Sequence, residues 1–333
     1  MTAGSATSGS RRRELDVVDL VERARDGQAR AVARLISLVE DASPQLREVA
    51  SALAPHAGRA QVIGLTGSPG VGKSTSTAAL VSAFRASGQR VGVLAIDPSS
   101  PFSGGALLGD RIRMQVHATD PEVFIRSMAT RGHLGGLSWA APQALRVLDA
   151  AGFDVVLIET VGVGQSEIDV VSLADTTLVL VAPGMGDGIQ AAKAGILEIA
   201  DVFVVNKADR DGAERTMREL KHMMSLGRKE LTGPSWRPSV VQTVADKGQG
   251  IAEVIEAIGA HREWMIAHGE LDRRRAHRAR TEVEAIALQS LRERLDDLRG
   301  SVALGTLAQR VMAGELDPYA AADELVAGLG ASR

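Results

Sequence analysis

The chain has 333 residues, 45% of them hydrophobic and 24% charged, an ordinary balance for a globular protein with room for one large α/β domain and helical additions. Its formal net charge of −3 offers no broad basic field to nucleic acid or to an anionic membrane surface. The absence of cysteine excludes disulfides, thiolate metal sites and cysteine nucleophiles.

Residues 1–13, MTAGSATSGSRRR, are small, polar and basic, and read as a disordered tail. The charged stretch ELDVVDLVERARDG behind them lacks the continuous apolar region of an export signal. Gly or charge interrupts every later apolar run before it could span a bilayer, so the sequence predicts a cytoplasmic protein with no membrane partner. Residues 14–59 read as an N-terminal helical segment. Leu15, Val18, Val21, Val32, Leu35, Ile36 and Val39 recur there at helical spacing, and a further helix is expected to start at Ser43-Pro44.

Residues 60–262 alternate short apolar runs with amphipathic stretches. The runs QVIGLT, VGVLAID, DVVLIET, TTLVLVA, DVFVVN and SVVQTV show little polar alternation, as expected of strands buried on both faces of a mainly parallel sheet flanked by helices. Gly88 and Gly152 stand where helices should stop before the next strand. From residue 263 the strands cease and a C-terminal helical arm follows. In it Leu288, Leu291, Leu295 and Leu298 form an apolar stripe, and a last helix is expected from Asp317-Pro318 to near Gly328. The fold class is therefore α/β, with helical extensions at both ends.

Gly67-Ser68-Pro69-Gly70-Val71-Gly72-Lys73-Ser74 fits G-x-x-x-x-G-K-[ST], follows an apolar run and opens a helical pattern, which is the context that the motif requires. Its glycines let backbone N–H groups wrap phosphates at a helix N-terminus. Lys73 is placed to reach β- and γ-phosphates, Ser74 to ligate Mg²⁺, and Thr75 completes the stretch. A Gly-rich turn with a solvated lysine is the bland alternative, and the context opposes it, so the α/β core reads as a P-loop nucleotide-hydrolase (NTPase) domain.

Asn206-Lys207-Ala208-Asp209 closes another apolar run. A carboxylate at that strand end accepts hydrogens from guanine N1–H and the exocyclic amine, whereas adenine presents an acceptor at N1 and leaves both groups unsatisfied. Val244-Ala245-Asp246, after the next run, is expected to complete the base pocket through backbone contacts. Glu159 ends DVVLIE, where an acid can orient Mg²⁺ through water, and the Gly162 N–H can sense a γ-phosphate. Asp97 ends VGVLAID at the crevice where such sheets bind ligands, and Asp110 follows in GGALLGDRIRM. For each acid a helix cap or a solvated loop is the competing reading.

Val163 follows Gly162, where many fast GTPases carry the Gln that orients the attacking water, so unassisted hydrolysis is expected to be slow. Gln165 is near in sequence. Arg111, Arg113, Arg126 and Arg131 could supply charge, although a salt bridge is the commoner role for each. The seven histidines show no metal-ligand spacing, His133 in TRGHLGG reads as loop, and RRRAHRAR at 273–280 reads as a solvated helix face.

Taken together, GSPGVGKST, AIDPSSPFSGGALLGDRIRM, RSMATRGHLGGLS, ETVGVGQSE and NKAD resemble the MeaB-like GTPases, a family that includes the protein of human methylmalonic aciduria type A and was once called the ArgK or LAO/AO transport ATPase family. The resemblance runs from about residue 15 to the end, and residues 97–114 are its most specific part. It implies a GTP- and GDP-binding chaperone that protects and reloads adenosylcobalamin-dependent methylmalonyl-CoA mutase, as a homodimer joined by C-terminal helices. It also implies that Asp97, Asp110 and Glu159 surround Mg²⁺ together with Ser74, and that residues 97–114 and VGVGQSE are the two switches. Two other readings stay open. A nickel-delivery GTPase shares the architecture but usually carries Cys or Cys-His sites, and a P-loop kinase of a small molecule or transport protein would ordinarily take ATP, which NKAD opposes.

Overall fold

The computed structural model describes residues 16–98, 115–117, 119–130, 140–160, 172–184, 199–226, 234–299 and 302–331. It opens with three short helices, α1 (Val17–Arg25), α2 (Ala29–Glu40) and α3 (Leu46–Leu53). Asp16 caps α1 by accepting the Asp19 N–H at 3.1 Å. Their periodic apolar residues, Leu20, Val21, Val32, Leu35, Ile36 and Val39, are buried, whereas Val18 faces solvent. The third helix starts later than its sequence implies. Ser43 forms a turn, its hydroxyl accepting the Gln45 N–H at 3.3 Å, and the helix begins only at Leu46.

Seven parallel strands follow: β1 (Gln61–Thr66), β2 (Val91–Pro98), β3 (Val123–Thr130), β4 (Val155–Thr160), β5 (Thr176–Val181), β6 (Val202–Asn206) and β7 (Ser239–Thr243), in the spatial order β3-β2-β4-β1-β5-β6-β7. Every residue of β1, β4, β5 and β6 is buried, which is why they read as unbroken apolar runs. Strand β3 is the addition that the apolar-run pattern missed. As an edge strand it buries only one side well, through Phe124 and Met128, and its polar Arg126 and Ser127 break the run.

Helices cover both faces: the crossover helices α4 (Lys73–Ala86), α5 (Ala140–Ala150) and α6 (Ala213–Leu226), and α7 (Ile251–Ala267) after the last strand. The side-chain period of two splits each strand between the faces. Val62, Leu94, Ile96, Val156 and Ile158 meet α1–α3 and α5, while Ile63, Leu65, Val93, Val155 and Leu157 meet α4 and α7. Helix α6 packs on the β5–β6 side through Leu220. Gly88 and Gly152, both at positive φ, end α4 and α5 as expected.

The long α8 (Glu270–Arg299) is followed by α9 (Val302–Met312) and α10 (Pro318–Ala331). Asp317 caps α10 by accepting the N–H groups of Tyr319 and Ala320. One compact unit ends at Arg274, and a second runs from Arg275. Within the second, Arg310 pairs with Glu324 at 2.7 Å. On α8, Val283, Ile286, Leu288 and Leu291 are exposed; the side chains of Leu295 and Leu298 lie outside the described residues. Among the described residues no helix is long and apolar enough to cross a membrane.

Candidate functional site

The carboxyl end of β1, near the middle of the sheet, feeds the loop of residues 67–72 directly into α4. This is the crevice position at which open α/β sheets bind ligands. Two glycines are required here by geometry. A Cβ on Gly67 would lie 2.3 Å from the Leu180 carbonyl oxygen, and one on Gly72 would lie 2.3 Å from Nδ2 of Asn206. Both also adopt φ values in the region that favours glycine, +142° and +98°. The loop thus lies flush against β5 and β6, with α4 beginning at Lys73 and its N-terminal N–H groups at the crevice.

Lys73 is buried, and its Nζ donates to the carbonyl oxygens of Gly67 at 2.6 Å and Ser68 at 3.2 Å. Glu159, 2% exposed near the end of β4, receives two hydroxyls from α4: Ser74 donates to Oε1 at 2.6 Å and Thr77 to Oε2 at 2.8 Å. The sequence marked Ser74 and Glu159 but not Thr77, whose signal is its spacing of three from Ser74, one helical face. Asp97 is the penultimate residue of β2, and the same strand's Ala95 is in register with Glu159. Asp110, Gly162, Val163, Gln165, Arg111, Arg113, Arg131 and His133 lie outside the described residues. Arg126 is far from this chemistry in role: from β3 it pairs with Glu40 and reaches Ser37, tying α2 to the sheet edge.

The second half of the crevice is built on Asn206, the last residue of β6. Its Nδ2 donates to the Val71 carbonyl at 2.9 Å, and its Oδ1 accepts the Thr243 hydroxyl at 3.1 Å and the Ala245 N–H at 3.2 Å. One amide therefore joins the phosphate loop to the turn after β7 that carries Val244, Ala245 and Asp246. Lys207 donates from Nζ to the Gly70 carbonyl at 2.6 Å, and its backbone sits at φ +59°. That conformation costs a residue with a Cβ about 1–2 kcal/mol, and the Ala208 N–H bonded to the Thr243 carbonyl at 3.0 Å holds the turn. Asp209 is half-exposed and pairs with Lys247 Nζ at 3.0 Å. The Lys247 hydrogen bond and charge hold the Asp209 carboxyl below the usual carboxylate range and raise the lysine in turn. Lys247 was not singled out by the sequence, although it directly follows Val244-Ala245-Asp246.

With this geometry in place, similarity to known proteins becomes informative. A family model described as methylmalonyl Co-A mutase-associated GTPase MeaB matches residues 32–298. A protein of Pyrococcus abyssi (strain GE5 / Orsay), provisionally named a GTPase, is 47% identical over 308 residues, covering 92% of this chain and 95% of its own length. The Mus musculus protein named methylmalonic aciduria type A homolog, mitochondrial, is 34% identical over 320 residues, covering 90% of this chain and 76% of its own. Among solved structures, that of a LAO/AO transport system kinase has a TM-score of 0.67 at 28% identity, over 94% of this chain and 97% of that one.

Proposed function

This chain belongs to the MeaB family of GTPases, and on that premise we propose that it is a switch chaperoning an adenosylcobalamin-dependent methylmalonyl-CoA mutase. GTP hydrolysis follows from the family; the mutase is the finer step. The observation that carries it is the match over residues 32–298 to a family described as mutase-associated. In this reading the chaperone protects the mutase and assists its cofactor loading in the cytoplasm.

The crevice residues divide the work. Lys73 exchanges the Gly67 and Ser68 carbonyls for the β- and γ-phosphate oxygens, which are stronger acceptors for a buried cation. The N–H groups of residues 67–75 receive the remaining phosphate oxygens. Asp209 reads guanine, and Asn206 keeps the base turn and the phosphate loop in one frame. The Ser74 hydroxyl beside the buried Glu159 carboxylate is an all-oxygen donor set suited to Mg²⁺, a hard cation that retains several waters. Ser74 would hold it directly, with Glu159, Asp97 and Asp110 around it. When bound, Mg²⁺ neutralises charge on the β- and γ-phosphates. Val163 in place of a water-orienting Gln makes hydrolysis slow until a partner binds.

The homodimer belongs to the same proposal. Helix α8 leaves Val283, Ile286, Leu288 and Leu291 about half or more exposed, and burying each is worth roughly 2 kcal/mol. A kinase reading attaches to the name of the solved relative, but Asp209 at the end of β6 favours guanine over the usual kinase donor, ATP.

Calorimetry of the purified chain with a methylmalonyl-CoA mutase tests the switch. Mutase affinity should differ between the GDP form and a non-hydrolysable GTP form by roughly 5- to 150-fold, and the mutase must change nucleotide affinity by the same factor. Light scattering on the same preparation should give twice the chain mass. Equal affinity in every nucleotide state removes the switch, and no binding removes the partner.

A further inference from the structure

Thr77 is fully buried, three residues after Ser74 on the same face of α4. Its hydroxyl carries one proton and faces two acceptors, the Lys73 carbonyl at 3.0 Å and Oε2 of Glu159 at 2.8 Å. Threonines within helices commonly bond back to the carbonyl four residues earlier, which has no functional content. Here the carboxylate is the nearer acceptor and the stronger one, so the proton goes to Glu159.

The consequence falls on Ser74. A glutamate carboxylate has a soft last torsion, and a hydroxyl on each oxygen helps to fix its plane. With Oε2 held by Thr77, Oε1 stays on the Ser74 proton at 2.6 Å. A hydroxyl that has given its only proton to Glu159 has lone pairs alone to offer elsewhere, which is what a cation needs. If Glu159 turned away, the Ser74 proton could point toward the cation and oppose it.

We propose that Thr77 is a positioning residue for the Mg²⁺ site, clamping Glu159 so that Ser74 presents lone pairs rather than its proton to the metal. The inference rests on the reading of Ser74 and Glu159 as metal-site residues. It adds a residue that touches neither metal nor nucleotide and acts only through the carboxylate.

The test is binding of a fluorescent GDP analogue to the full chain, titrated with free Mg²⁺ and repeated in chelator. Thr77→Val removes the hydroxyl at nearly constant volume, and should raise the half-saturating Mg²⁺ by roughly tenfold while leaving affinity in chelator unchanged. Thr77→Ser should restore the native Mg²⁺ dependence. If the valine variant does not fold, Thr77→Ala is read by the same titration. An unchanged Mg²⁺ dependence overturns the proposal. So does an equal loss of affinity with and without Mg²⁺, which would mean packing alone. Glu159→Gln separates the two levels: if it too leaves Mg²⁺ dependence unchanged, the metal-site reading fails with the proposal. If it shifts the dependence and Thr77→Val does not, only the role of Thr77 fails.

Discussion

Strand β6 begins just after Asp201 and ends at Asn206, so its two ends place buried polar groups at opposite poles of the sheet. At the amino end, Asp201 accepts Arg274 in a two-pronged pair at 2.8 and 2.9 Å, and also accepts the Thr177 N–H at 2.8 Å. Trp236 donates its indole N–H to the Asp201 carbonyl at 2.8 Å. His261, fully buried, shares a hydrogen bond with the Thr176 hydroxyl at 2.9 Å and brings Nε2 to 3.2 Å from Asp201. At the carboxyl end, Lys73 and Lys207 donate to backbone carbonyls, and Asp209 is half-exposed beside Lys247.

The difference lies in what a ligand could replace. Around Asp201 the charges already have charged, geometrically matched partners, and nothing an incoming molecule offers would improve on them. Around the phosphate loop Lys73 and Lys207 donate to neutral backbone carbonyls, acceptors that a phosphate outcompetes. Burial and charge are common to both poles; only one has exchangeable partners. The amino-terminal pole instead anchors the start of α8, since Arg274 lies on that helix and also donates to the Asp175 carbonyl at 3.0 Å.

Lys73→Ala should cost the most in function, about a thousandfold in hydrolysis rate, because positioned charge supplies nearly all of phosphoryl-transfer catalysis. Its melting temperature should hardly change, since Gly67 and Ser68, to whose carbonyls it donates, belong to the loop that leads into its own helix. A variant that still turns over would show that Lys73 is architecture after all. Arg274→Ala should do the reverse. It strips a buried carboxylate of its guanidinium, but Arg274 is about a third exposed, so the cost is discounted to about 2 kcal/mol. Thermal melting should show the loss while GTP affinity stays native. Lost nucleotide affinity in a folded variant would mean that the two ends of β6 are coupled.

The smallest effect concerns pH. Burial pushes the His261 pKa below its ordinary 6.5, against an opposing pull from Asp201. As pH falls through 6.5 the unfolded chain therefore takes up the proton first, and stability drops by at most about 1.4 kcal/mol per pH unit until the folded value is reached. Melts between pH 7.5 and 5 should show this slope, and His261→Gln should flatten it. A native slope unchanged by that substitution would remove His261 as its source.

Legibility in the sequence followed the same divide. Strands β1, β4, β5 and β6 could be read because burial on both faces leaves an apolar run with no gaps. Strand β3 could not, since an edge strand needs fewer apolar residues and uses Arg126 to hold Glu40 of α2. The phosphate loop and NKAD were visible as contiguous motifs, yet Thr77, Lys247 and Thr243 were not. Their residue types are common in helices and turns, and only their neighbours give them meaning.

What lies close together along the chain was open to reading before any fold was known. Gly67 to Ser74 and Asn206 to Asp209 are contiguous, so their proposed roles, wrapping phosphates and reading guanine, could be read from local sequence alone. Only the tertiary structure decided which buried polar groups meet. Thr77 reaches Glu159 across 82 residues of chain and Arg274 reaches Asp201 across 73. Which partner a buried charge finds depends on the faces that the sheet and its helices bring together, because an unmatched charge there costs too much for any local pattern to prescribe.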